Sequence, residues 1–180
     1  IASELFHQTV IIFVALALYR LFKAVDEKHA VLLVILGSLV SVPIMFVNVL
    51  NEIAALILMR GADFLRVFDP PQLDALAYLF LRLHGQGIVV ASVFWGLWLL
   101  PFGILVIRSG FIPRFLGVLL LIAGSAYVVS AATTILLPQY AHSVGRVAML
   151  LEICEVPIIL WLLIWGARVR PLEVPIASPT

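Results

Sequence analysis

Apolar residues fill this chain in five long blocks, with short polar turns between them. A membrane-crossing helix needs roughly 20 apolar residues. The blocks predict spans at Leu5–Phe22, Ala30–Met59, a third ending at Ile107 and starting between Gln72 and Gly87, Phe115–Leu137 and Val144–Ala167. The runs are long and do not alternate, so helices are predicted rather than strands. The fold class expected is an all-α polytopic transmembrane helix bundle. A single domain over 1–168 is expected, with a flexible cytoplasmic tail over 169–180, where three prolines follow in "RPLEVPIASPT".

The turns carry helix punctuation. In "FDPPQLDAL", Asp69 is a candidate N-cap ahead of Pro70 and Pro71. In "RSGFIPRF", Gly110 suits the left-handed residue that ends a helix, and Pro113 suits the start of the next. Gly96 and Gly103 recur at seven residues, as do Gly117 and Gly124, a spacing that lets helix backbones approach closely.

Composition agrees with the pattern. Of 180 residues, 64% are hydrophobic and 12% charged, about half the charged share of a soluble domain. The net charge of +1 offers no basic surface for nucleic acid. The lone cysteine, Cys154, has no partner for a disulfide within the chain.

Lys and Arg set the threading. One side holds Arg20, Lys23, Lys28, Arg108, Arg114, Arg168 and Arg170; the other holds Arg60, Arg66, Arg82 and Arg146. The richer side is expected to be cytoplasmic, with the C-terminus inside and the protein in the inner (plasma) membrane.

Polar residues inside the spans then fall toward one slab. Glu152 and Glu155 sit three apart in "RVAMLLEICEVPIILWLLIWG", roughly 10 and 15 Å below the outer end of their helix. Asn48, Asn51 and Glu52 share a face in the outer half of the second span, and His7 and His84 lie at a similar level. A charge at a bilayer centre costs about 2.5–3.5 kcal/mol on insertion scales, so such groups face the bundle interior or a wet cavity. The expectation is an outward-facing polar pocket. Its ligand-binding candidates are Glu155, His84, Glu152, Asn51, Asn48, Glu52 and His7, with Glu155 and His84 as the central pair. Asn48 and Asn51 also suit plain interhelical hydrogen bonding, and Ser130, Thr133 and Thr134 suit bonds to their own helix.

No nucleotide loop, nucleophile elbow or zinc-protease helix is present. Among His7, His84, Glu152 and Glu155 no pair has a diagnostic ligand spacing, so no metal site is assigned. No cofactor is assigned either.

The segments "LHGQGIVVASVFWGLWLLPFGILVIRSGFIPRFLGVLLLIAGSAYV", "ALYRLFKAVDEKHAVL", "VNVLNEIAAL" and "ICEVPIILWLLIWG" resemble a bacterial multi-pass inner-membrane family known as a domain of unknown function. The resemblance implies an all-helical membrane protein, usually with one more helix ahead of the present start. It also implies that His84, Asn48, Asn51 and Glu155 occupy recurring positions, whereas Glu52 and Glu152 are not typical of it.

Three functional classes follow. The first is a pocket for a small or lipid-like ligand, a reading that includes transport. The second is a non-catalytic accessory or scaffold subunit, whose partners would be the lipid bilayer and another membrane protein or a second copy. The third is an intramembrane enzyme with a Glu/His acid–base or metal site.

Overall fold

The computed structural model describes residues 1–166, so the expected tail and Arg168 and Arg170 lie outside the described residues. Five helices are long and apolar enough to cross a membrane: α1 Ala2–Phe22, α2 Glu27–Arg60, α3 Pro70–Ser109, α4 Arg114–Leu136 and α5 Pro138–Trp165. No strand occurs among the described residues. Many large apolar side chains remain exposed, Phe6, Val47, Leu136 and Leu163 among them. In water that surface would be prohibitive; in hydrocarbon it is the expected exterior.

Proline explains where two helices depart from regular geometry. Pro43 has no N–H for the preceding turn, and α2 widens ahead of it into a π-helical stretch over Ile35–Val40. Ser41 answers the loosened backbone there, donating its hydroxyl to the Gly37 carbonyl at 2.8 Å. In α5, Pro157 follows a tightened 3-10 turn over Ile153–Glu155. The third helix is longer than a span requires. Its 40 residues rise about 60 Å at 1.5 Å each, twice the hydrocarbon thickness of about 30 Å. Asp69 starts it with a capping box, accepting from the Gln72 backbone at 2.9 Å while the Gln72 side chain accepts from the Asp69 N–H at 3.1 Å. This early part is held against the end of α2 by a small core of Ala55, Leu58, Leu65 and Ala77. That contact carries the helix well beyond the apolar block that marks the span in sequence.

The centre of the bundle is a glycine seam between α3 and α4. A Cβ on Gly96 would lie 2.6 Å from the Gly124 carbonyl oxygen, and one on Gly103 2.7 Å from that of Gly117. The two pairs set an antiparallel register in which backbones touch directly. At the end of the bundle that holds the α1–α2 turn, Phe22 packs on Phe102 and Phe111 with ring centroids 5.9 and 5.8 Å away. Asp26 fastens the turns of that end together. It caps α2 through the His29 N–H at 3.2 Å and forms an ion pair with Arg108, beside the α3–α4 turn. The His29 hydrogen bonds, with Arg108 nearby, hold the Asp26 carboxyl below its ordinary pKa of 3.8.

Candidate functional site

The polar side chains of the spans form two separate centres. The first joins α1, α2 and α3 near the end of the bundle that holds the N-terminus. His84 on α3 points its Nε2 toward Glu4 Oε1 of α1 at 3.4 Å and Glu52 Oε1 of α2 at 3.8 Å. The other ring nitrogen, Nδ1, lies 3.4 Å from the Asn48 carbonyl oxygen, and Asn48 Nδ2 donates to the His84 carbonyl at 3.0 Å. The reciprocal contact locks the two helices and orients the ring. Asn51 donates to Asn48 Oδ1 at 3.1 Å, one turn along the same face. Gly87 makes room for this: a Cβ there would lie 2.0 Å from Asn48 Oδ1. Asn48 is buried and His84 only 13% exposed at its side chain.

The second centre is a cavity of about 690 Å³ that touches all five helices. Tyr127 of α4 donates its hydroxyl to Glu155 Oε1 of α5 at 3.1 Å within its wall. His7, Gln8, Ser41 and Trp98 add polar groups to a lining that is otherwise apolar. Gln8 is buried, with Nε2 3.3 Å from His7 Nδ1, and the Trp98 indole nitrogen is buried with no hydrogen-bond partner among the described residues. Leu18, Leu99, Phe102 and Ile158 of the cavity lining belong to the buried apolar core of the bundle. Along one side the cavity is bordered by exposed Val14, Ile159 and Leu163, so it communicates with the surroundings of the bundle between α1 and α5.

The seven residues singled out in the sequence are thus divided. His84, Glu52, Asn48 and Asn51 meet at the first centre; Glu155 and His7 line the second. Glu155 and His84 are not bonded to each other, and each takes partners of its own. Glu152, half-exposed one turn before Glu155, makes no side-chain hydrogen bond or ion pair among the described residues. Thr133 and Thr134 bond back to Val129 and Ser130 carbonyls, the structural role their spacing suggests. Glu4 was missed by the sequence reasoning. Its signal was local: Glu4 and Gln8 are four apart, so the first turns of α1 carry two inward polar groups on one face. Tyr127 was visible only as an aromatic in an apolar run, because its partner is 28 residues away.

Taken together, the fold and its inward-turned polar groups define a polytopic helical membrane protein. The chain belongs to the family described as Domain of unknown function (DUF4386), whose model matches residues 1–166. No curated protein and no solved structure matches the chain.

Proposed function

We propose that this protein holds an amphiphilic ligand drawn from the bilayer, with the polar end at Glu155 and Tyr127 and the apolar part along α1 and α5. The observation that carries this reading is the inward Glu155. A carboxyl in a spanning helix is set against a tyrosine of the neighbouring span, in the wall of a space far larger than one water. Ligand pockets of roughly 300–1,000 Å³ commonly pair an apolar lining with a few placed polar groups, and this cavity of about 690 Å³ has that character. Entry between α1 and α5 suits a ligand that partitions into hydrocarbon. The seven-to-four bias of Lys and Arg supports an orientation with the Asp26 end toward the cytoplasm, in the plasma membrane.

Native mass spectrometry and lipid extraction of the detergent-purified protein test the proposal. Wild type is expected to retain a lipid-sized adduct that Glu155→Gln and Tyr127→Phe each reduce. Equal retention by both variants, with folding intact, overturns it. Stoichiometric co-purification of another membrane protein without any adduct would favour the scaffold reading instead.

A further inference from the structure

The contacts around His84 admit a cation between the side chains. The Asn48 carbonyl can only accept, so the hydrogen on the ring belongs on Nδ1, 3.4 Å away. In the neutral ring Nε2 is then a lone pair, directed at carboxylate oxygens of Glu4 and Glu52. Three acceptors facing one another repel unless a proton or a metal ion lies among them. Ligands held about 2.0–2.1 Å from a tetrahedral metal ion stand about 3.4 Å apart. All three ligand atoms lie within 4.8 Å of one another. The second oxygens of Glu4 and Glu52 are both buried with no hydrogen-bond partner among the described residues, that of Glu52 lying 2.9 Å from the Ile1 nitrogen.

We propose that Glu4, Glu52 and His84 form a binding site for one divalent transition-metal ion of zinc type, with a coordination position left open. An imidazole and two carboxylates are a mixed nitrogen–oxygen donor set suited to such ions. Two carboxylates and a divalent ion sum to zero charge, which removes most of the cost of keeping the acids beside hydrocarbon. The backbone carbonyl of Asn48 is the outer support that fixes the ring, as metal-bound histidines usually require. From His84 to the end of α3 at Ser109 the helix rises roughly 38 Å, so the site lies at the edge of the hydrocarbon, where ions in water can reach it. Its ligands arrive from three helices, and for that reason no pair of them shows a tell-tale spacing in the chain. The site does not depend on the cavity having a ligand.

The test uses the full chain in detergent with any histidine tag removed, stripped with a chelator and titrated with Zn²⁺, with Co²⁺ absorption as a second probe. One ion per chain is expected, with tetrahedral Co²⁺ bands. His84→Ala and Glu52→Gln should abolish stoichiometric binding. Glu4→Gln, on an exposed-end first turn, should also lose the ion while folding normally. Zn²⁺ should raise the melting temperature of stripped wild type but not of Glu4→Gln. Wild type that binds no more tightly than these variants, or gains no thermal stability from Zn²⁺, overturns the site.

Discussion

The α3–α4 seam and the α1–α5 side of the bundle solve opposite problems. At the seam, glycines bring two backbones into contact, and no space remains for a Cβ at Gly96, Gly103, Gly117 or Gly124. Across the bundle, α1 and α5 border a space of about 690 Å³ and present Val14, Ile159 and Leu163 to the outside. Dispersion and close approach hold the first region, because lipid tails give apolar helices little hydrophobic reason to associate. One directed hydrogen bond between helices, from Tyr127 to Glu155, marks the second. A rigid pair of helices thus carries a looser flank, and one of the two polar centres lies on that flank.

The seam should fail hardest when filled. Gly117→Leu drives a side chain into the Gly103 carbonyl and Ile107, and a loss of about 3 kcal/mol is expected in a reversible unfolding titration. A cost under about 1 kcal/mol would mean that the seam can open without penalty. Gly87→Ala should come next. Its new methyl displaces Asn48, a side chain that can swing aside, so about 1–2 kcal/mol is expected, together with weaker Zn²⁺ binding. On the flank, Tyr127→Phe removes one interhelical hydrogen bond. Such bonds average about 0.6 kcal/mol in membrane proteins, so stability should change little while lipid retention falls. A large destabilisation with unchanged retention would make Tyr127 a packing residue.

The smallest effect belongs to the turn that ties the other end. The Asp26 carboxyl is held below its ordinary value of 3.8 by His29 and Arg108, so the folded state binds its proton less readily than the unfolded chain. Its stabilisation is complete above that ordinary value and drains as the pH falls through the lower, folded-state value. Melting temperature followed from pH 6 down toward about pH 3 should therefore fall more steeply in wild type than in Asp26→Asn. Identical slopes would show that the clasp contributes nothing.

Much of the architecture was legible because hydrocarbon imposes a single rule: a backbone inside it must satisfy itself, and helices of about 20 apolar residues do so. The number of spans, the Asp69 cap, the left-handed Gly110 (φ 71°) and the seven-residue glycine spacing all followed from local chemistry. The cap marked the start of α3, but hydropathy did not, since Pro70 to Leu83 is helical through that cap and its packing on α2. The polar residues were recognisable as a set, because each is costly in its block. Their partnerships were not.

From the sequence alone came the class of protein, its helices and the residues too polar to face lipid, since each depends on composition or on spacing within one helix. The tertiary structure decided that Glu4 joins Glu52 at His84, that Glu155 turns to Tyr127, and that these are two centres instead of one. Rotation of each helix about its axis determines which polar face meets which neighbour. That rotation is set by the glycine seam and by side chains many turns apart along the chain.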